Sequence, residues 1–290
     1  MSIQVATFYH FCPLRPDAEQ QQALVAEMET QGVKGTVLLT PEGVNATIAG
    51  PKSGVQAVLR AIEGQITLAP LEVKYSTCAF QPFGKAKVKL KPETISLGEP
   101  ACPTVVGEYL DTQAWNALLQ DPDAIIIDTR NDYEVHLGTF RGAVNPNIAS
   151  FRELPDFVRR VIGEDNTRKI GTFCTGGIRC EKFTAWLLAE GYQHVYHLKG
   201  GILKYFEEVS AADNQWIGEC FVFDDRIAVD CDLQPSQTAS ICPVCSYTLT
   251  PADRAQPSYA ENQSCPYCAV ADPYRPMLSR AQAAGHDLNA

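Results

Sequence analysis

The chain has 290 residues, 45% of them hydrophobic, which suits a globular protein of two or three domains. Its net charge of −10 argues against general adhesion to nucleic acid, although a local basic track is still possible. No apolar run approaches the ~20 residues of a membrane span, and the N-terminus lacks the features of a signal peptide. We therefore expect a cytoplasmic protein with no membrane association; the sequence does not indicate an oligomeric state.

Residues 1–79 alternate between strand and helix signals. The pattern predicts strands at 3–11, 35–40, 44–49 and 71–77, with helices at 16–31 and 51–63. The resulting order, β-α-β-β-α-β, is typical of a ferredoxin-like (α+β) domain of the acylphosphatase-like kind. This fold occurs in many binding modules, so it does not indicate a function by itself.

Residues 80–105 are predicted to form a basic linker. Lys85, Lys87, Lys89 and Lys91 occupy alternate positions, so in an extended chain they share one face. The spacing leaves two interpretations open. The lysines either prevent edge-to-edge pairing of a solvated strand or contact a nucleic-acid backbone.

Residues 106–210 have the rhythm of a parallel α/β domain. A helix is predicted at 112–119, and the continuous apolar run at 124–128 is typical of a buried parallel strand. Further strands are expected at 170–173 and 191–198, with helices at 151–162 and 202–209. In such sheets, ligands bind beyond the carboxyl ends of the strands.

One of these strand ends carries a reactive-looking thiol. The segment, which separates a strand from an amphipathic helix, reads Cys174-Thr175-Gly176-Gly177-Ile178-Arg179-Cys180. Loop N–H groups, the start of a helix and a nearby arginine all favour a thiolate and so lower the pKa of Cys174. The glycines allow the backbone to turn its N–H groups inward. We prefer this anion-stabilising site to a core cysteine, because Gly-Gly and Arg have no packing purpose directly after a strand.

Asp128 and Arg130 follow the strand at 124–128. An Asp–Arg pair at a strand end often joins neighbouring loops, and we favour this supporting role for Asp128. For Arg130, a position facing the anion site is the alternative.

Residues 211–290 are predicted to form a small Cys-rich zinc-binding region. The chain has 11 cysteines, an odd number that argues against a disulfide framework. Cys242-x-x-Cys245 and Cys265-x-x-Cys268, 19 residues apart, have the spacing of a tetrahedral Zn²⁺ site. Four thiolates close the coordination shell, so this zinc would be structural; free thiols or two redox pairs are the alternatives. Cys220 and Cys231 receive no role, and a mobile tail is expected at 281–290.

The segment from Cys174 to Lys182, Cys-Thr-Gly-Gly-Ile-Arg-Cys-Glu-Lys, resembles the active-site loop of a rhodanese-type domain. More narrowly, it resembles that of the oxygen-dependent tRNA uridine-34 hydroxylases, and the resemblance covers most of the chain. It implies oxidation of the wobble uridine to 5-hydroxyuridine with molecular oxygen, and catalytic roles for Cys174 and Arg179. Cys180 would support the site or exchange thiols. The resemblance also implies that the tRNA anticodon arm is the partner. It favours RNA contact for the four lysines, and we expect Lys182 to join them at the mouth of the site.

Two other functions use the same cysteine. A thiosulfate-type sulfurtransferase would pass persulfide sulfur from Cys174 to an acceptor, but it needs only the central ~100 residues. Cysteine phosphatases space their nucleophile and arginine as Cys-x₅-Arg, whereas Cys174 and Arg179 are spaced as Cys-x₄-Arg. We find no flavin or dinucleotide motif, and the sequence therefore does not indicate an electron donor. Cys174 could react as a thiolate or as a persulfide.

Overall fold

The structure is a computed structural model that describes residues 2–66 and 70–269, with the side chains of 65 and 66 left out. It divides into two compact units, one ending at Ser96 and the other beginning at Leu97. Among the described residues, none of the helices combines the length and apolar character that a membrane crossing requires. The tail predicted to be mobile, 281–290, lies outside the described residues.

The first unit is a five-stranded sheet with two helices. Its elements are β1 (Ile3–Phe11), α1 (Ala18–Thr30), β2 (Lys34–Thr40), β3 (Gly43–Gly50), α2 (Lys52–Ile66), β4 (Val73–Cys78) and β5 (Ala86–Leu90). The strand order is β4-β1-β3-β2-β5, with β5 parallel to β2 and the other neighbours antiparallel. The predicted ferredoxin-like fold is therefore confirmed.

Local sequence explains why these elements form and pack. Asp17 and Gln20 make a reciprocal capping box that starts α1, and Leu24 and Met28 on its inner face are buried. The alternate residues of the central strands, Phe8 among them, point into the same apolar core. The opposite face of the sheet carries the intervening, more polar residues.

The region predicted as a basic linker differs in the structure. β5 pairs with β2 from Gly35–Ala86 to Leu39–Leu90. Val88 is 5% exposed and lies in the core, which explains why this short segment joins the sheet instead of remaining free. The boundary between the two units falls between Ser96 and Leu97, within the stretch 80–105 that the sequence assigned to the linker.

The second unit is built on a parallel sheet, as predicted. Its elements up to residue 208 are β6 (Glu108–Leu110), α3 (Thr112–Leu119), β7 (Ala124–Asp128), α4 (Asp132–Val135), β8 (Gly138–Phe140), α5 (Leu154–Val161), β9 (Lys169–Phe173), α6 (Ile178–Ala189), β10 (His194–Leu198) and α7 (Gly201–Glu208). The order β6-β10-β9-β7 is parallel throughout. The carboxyl ends of β7 and β9 therefore lie side by side, which brings the residues after Asp128 next to those after Phe173.

The C-terminal part belongs to the same compact unit. Its elements are β11 (Trp216–Gly218), β12 (Cys220–Phe221), β13 (Ala228–Val229), β14 (Ser240–Ile241), β15 (Thr248–Leu249), α8 (Pro251–Arg254) and α9 (Pro266–Ala269). β11 pairs antiparallel with β8, and the Trp216 ring lies edge-on to Phe140 at 5.1 Å between centroids. The segment after α7 is thus fastened to the parallel-sheet domain through shared core side chains.

Candidate active site

The loop after β9 surrounds the sulfur of Cys174 with hydrogen-bond donors. The Gly177 N–H donates to the Cys174 Sγ at 3.1 Å. Gly177 has a φ of 102° and is the residue directly before α6, a conformation that favours glycine. Cys174 is 1% exposed, so this sulfur sits in a dry environment where such bonds count strongly.

The start of α7 holds the carbonyl groups of this loop. The Ile202 N–H donates to the Cys174 carbonyl at 2.9 Å, and the Leu203 N–H donates to the Thr175 carbonyl at 3.1 Å. Gly201, with a φ of 71°, leaves no room for a side chain, since a Cβ there would lie 2.5 Å from the Cys174 carbonyl oxygen. A close approach of two backbones therefore shapes the loop.

Cys180, in the first turn of α6, stabilises a negative charge on Cys174. Burial raises the pKa of the Cys174 thiol. The hydrogen bond from the Cys180 thiol, the charge of Arg179 and the N–H groups of Cys180 and Gly177 outweigh burial and lower that pKa below its ordinary value. Burial and the same sulfur–sulfur bond raise the pKa of Cys180 well above its ordinary value. Cys180 therefore stays protonated and acts as the donor.

Arg179 is held by a carboxylate that the sequence analysis did not assign. Its Nη1 and Nη2 donate to the two oxygens of Glu134 at 2.6 and 2.7 Å. The Glu134 side chain is fully buried on α4, and that of Arg179 is only 6% exposed. Arg179 thus acts as a fixed positive charge, because both terminal nitrogens of its fork already contact Glu134.

Asp128 and Arg130 form the supporting pair that the sequence suggested for Asp128. Arg130 donates to the Asp128 carboxylate from Nε at 2.9 Å and from Nη2 at 2.6 Å. It also donates to the Gly138 carbonyl at 2.6 Å, and both side chains of the pair are fully buried. The Arg130 fork therefore ties the end of β7 to β8. The same Asp-x-Arg geometry recurs at Asp224 and Arg226.

The two cysteines without a predicted role differ in environment. Cys220, on β12, is fully buried, and burial raises the pKa of its thiol to about 12, so it is a neutral thiol at physiological pH. Cys231 is exposed.

The four cysteines of the predicted metal site come together. The sulfurs of Cys242, Cys245, Cys265 and Cys268 all lie within 4.8 Å of one another. The Cys245 and Cys265 sulfurs are 3.5 Å apart, and the Cys265 N–H donates to the Cys268 sulfur at 3.1 Å. Four thiolates bound tetrahedrally at ~2.3 Å would be separated by about 3.8 Å. The cluster can therefore hold a metal ion such as zinc.

Comparisons with known proteins agree with both units of the fold. Residues 3–94 match the family model described as UPF0176 acylphosphatase like domain, and residues 111–208 match the Rhodanese-like domain. The tRNA uridine(34) hydroxylase of Rhizobium etli is 49% identical over 266 residues, which are 91% of this chain and 86% of that protein. The protein of the same name from Synechocystis sp. is 46% identical over 272 residues, 93% of this chain and 97% of that protein.

The chain belongs to the tRNA uridine(34) hydroxylase family. The resemblance that the loop around Cys174 indicated is thereby confirmed. In this chain, the residues from Cys174 to Cys180 form one site in which all but Gly176 are buried. The predicted RNA-binding residues lie partly on or next to β5 and partly on α6.

Four of those lysines lie on or next to β5, where Lys87 and Lys89 occupy the helix-free face of the first sheet. Lys87 and Lys89 point away from the buried Val88. Backbone bonds from Gly35 to the Lys85 carbonyl and from Lys91 to Leu39 continue the pairing beyond both ends of β5. Lys87 and Lys89 therefore share one face of this edge strand, and Lys85 and Lys91 flank it at its two ends.

Lys182 differs from its prediction. It lies on α6 and is 1% exposed, whereas a contact with an RNA phosphate at the mouth of the site would require an accessible ammonium group. Its position within the helix explains the difference, since residues 178–187 of α6 are almost all buried.

Proposed function

We propose that this protein is an oxidoreductase that hydroxylates C5 of the wobble uridine of tRNA, giving 5-hydroxyuridine, and that Cys174 activates the base. The observation that carries the proposal is a buried thiol whose pKa is lowered by Cys180 and Arg179. This thiol occurs in a chain that aligns over more than 90% of its length with proteins named tRNA uridine(34) hydroxylase.

The chemistry follows from the reactivity of uracil. Its C5 becomes nucleophilic once a nucleophile has added to C6, because the ring then carries an enolate. The Cys174 thiolate, or the outer sulfur of a persulfide on it, would make this addition. The fixed positive charge of Arg179 would stabilise the negative charge on the sulfur before the addition, on the ring after it, and on the sulfur again after its elimination. After C5 takes oxygen, loss of the C5 proton and elimination of the sulfur restore the ring.

We propose molecular oxygen as the co-substrate. One oxygen atom then enters C5 and the other leaves as water, so a reductant supplies two electrons and two protons. Reaction of the purified protein with tRNA and a thiol reductant such as dithiothreitol, which supplies the two electrons and two protons, should add one heavy atom to the nucleoside under ¹⁸O₂. Incorporation of oxygen from H₂¹⁸O instead would contradict this choice of oxidant.

The substrate must enter the site as an unstacked base. Cys174 is 1% exposed, so a base within a stack does not reach its sulfur. Bases of an anticodon loop unstack at a lower cost than paired bases. The anticodon arm of tRNA fits this requirement, and we propose it as the partner. We propose the cytoplasm as the location of the protein.

The helix-free face of the first sheet is the proposed RNA track. The chain is acidic overall, with a net charge of −10, so attraction to phosphates has to be local. Lys85, Lys87, Lys89 and Lys91 concentrate positive charge along one strand edge. Lys91 also lines an open cleft together with Arg15, which extends the basic surface toward the start of α1.

The track is tested by changing Lys87, Lys89 and Lys91 to alanine. Each lost phosphate contact should reduce the salt slope of tRNA binding by about one unit. Turnover at saturating tRNA should change much less, because phosphate contacts position the substrate. The control changes Lys52, Arg168 and Lys199 to alanine, which removes the same charge from three exposed positions elsewhere. Equal affinity and slope in wild type and variant would show that these lysines only protect a sheet edge.

The function itself is tested by nucleoside mass spectrometry of tRNA from cells lacking the protein, complemented with wild type or Cys174→Ser. Loss of 5-hydroxyuridine, restored by wild type alone, is the expected result. Loss of a thiolated nucleoside with 5-hydroxyuridine unchanged would instead support a sulfurtransferase that passes persulfide sulfur from Cys174.

A further inference from the structure

The position of Arg179 depends on a helix that is too short to be stable alone. Glu134, which binds both terminal nitrogens of Arg179, lies on α4, a helix of four residues. Helices of this length do not persist without tertiary contacts. Whatever fixes α4 therefore also fixes the carboxylate that orients Arg179.

Three contacts to α4 and its end come from the segment between the two CxxC pairs. The Tyr247 hydroxyl donates to the Asp132 carboxylate at 2.6 Å. The Thr248 hydroxyl donates to the Tyr133 carbonyl at 2.6 Å. The Asp253 carboxylate lies 2.7 Å from His136 Nε2. These contacts bracket Glu134 on both sides along the chain.

This segment is in turn anchored by the four-cysteine cluster. Tyr247 and Thr248 lie two and three residues after Cys245. The Cys242 N–H donates to the Tyr247 carbonyl at 2.9 Å. Tyr133 of α4 belongs to the same apolar cluster as Cys242, Cys245 and Cys265. Closing the sulfurs around a metal would thus fix the two hydroxyl groups that hold α4.

We propose that the four-cysteine region is a clamp on α4, in which Tyr247 and Thr248 are positioning residues that keep Glu134, and through it Arg179, beside Cys174. The proposal rests on the proposed function for the importance of the Cys174 thiolate. The effect of the clamp can be measured without tRNA, because a displaced Arg179 leaves the Cys174 thiolate with less compensating positive charge.

The test uses the full chain with Tyr247→Phe and Thr248→Val together. Both changes remove a hydroxyl and keep the side-chain shape and all four cysteines. Thiolate absorbance at 240 nm is titrated against pH for each protein and for its Cys174→Ala counterpart, and the difference isolates Cys174. We expect the measured pKa of Cys174 to rise by about one unit, which lowers the thiolate fraction up to about tenfold. Zinc content should stay unchanged.

The matched control is Ser240→Ala, which removes a hydroxyl that contacts Arg254 in the same region and does not contact α4. The control should leave the titration of Cys174 as in wild type. A shift of equal size in the control would show that general loosening, and not the clamp, is responsible, and would overturn the proposal.

A second measurement covers the case in which the double variant does not fold. Wild-type protein and its Cys174→Ala counterpart are titrated before and after removal of the metal by a chelator, and the difference between the two isolates Cys174 from the four released cysteines. Metal removal should raise the pKa of Cys174. If the pKa of Cys174 is unchanged after metal removal, the clamp is overturned, even if hydroxylation of tRNA is established. If the pKa of Cys174 rises, the clamp is supported, even if the tRNA product proves different.

Discussion

Two groups of cysteines in the second unit accommodate buried sulfur in opposite ways. At Cys174, one sulfur faces N–H groups, the Cys180 thiol and the charge of Arg179. At the C-terminal cluster, four sulfurs face one another within 4.8 Å. The first arrangement stabilises a single anion and leaves it reactive. The second brings like charges together, so it needs a cation, and a closed shell of four thiolates leaves that cation no open position.

The largest expected effect comes from removing the reactive sulfur. Cys174→Ser keeps the size of the side chain but is a far weaker nucleophile at neutral pH. Formation of 5-hydroxyuridine on tRNA in vitro should fall by about 10³-fold or more, as for other attacking groups. The melting temperature should match that of wild type. A serine variant with full activity would remove Cys174 from the mechanism.

A smaller effect is expected from disturbing the loop without touching its sulfur. In Gly201→Ala, the new Cβ would lie 2.5 Å from the Cys174 carbonyl oxygen and 2.7 Å from the Gly177 nitrogen. The loop must shift, and a displacement near 1 Å costs about 10²-fold in rate. Gly191→Ala is the matched control, since Gly191 also has a positive φ, 96°, but nothing lies within 4 Å of its Cβ position. Equal losses of turnover in both variants would assign the effect to backbone strain.

The metal site should respond in stability and composition. Elemental analysis of protein purified without chelator should give one Zn²⁺ per chain. Cys265→Ser, at a fully buried position, should lower that content and the melting temperature, because metal binding and local folding are coupled. Cys231→Ser, at an exposed position, should change neither. Wild-type protein without zinc would contradict the assignment.

The smallest expected effect is a shift of the pH profile. Because the pKa of Cys174 is lowered, its thiolate is already formed at neutral pH. We therefore expect kcat/KM to be nearly constant between about pH 7 and about pH 9. It should fall as the pH drops through that pKa and the sulfur is protonated. Cys180→Ala removes a donor to the thiolate and should move this acidic limb to higher pH. A limb at the ordinary thiol pKa of about 8.5 in wild type would contradict the lowered value.

Local pattern was sufficient to predict most strands of the two larger sheets. Alternation and caps define the elements of the first unit, and the buried run ending at Asp128 marks a parallel strand. β5 was predicted only as one of two interpretations of the lysine stripe, because Val88 is its single fully inward residue and pairing with β2 leaves no signal in the sequence. Glu134 received no role from the sequence. Its pairing with Arg179, 45 positions away, has no periodicity that could reveal it.

The same separation has a consequence for how the site assembles. Bringing Glu134 to Arg179 closes a long stretch of chain, which costs about 3 kcal/mol of conformational entropy for 45 residues by the logarithmic loop-closure relation. This loss of conformational entropy occurs when the domain folds, before any substrate binds. An excised strand–loop–helix peptide spanning β9 to α6 would keep every loop residue yet lack the ordered arginine. Reactivity at Cys174 is therefore a property of chain topology, because the arginine that stabilises its thiolate is ordered by a residue 45 positions away.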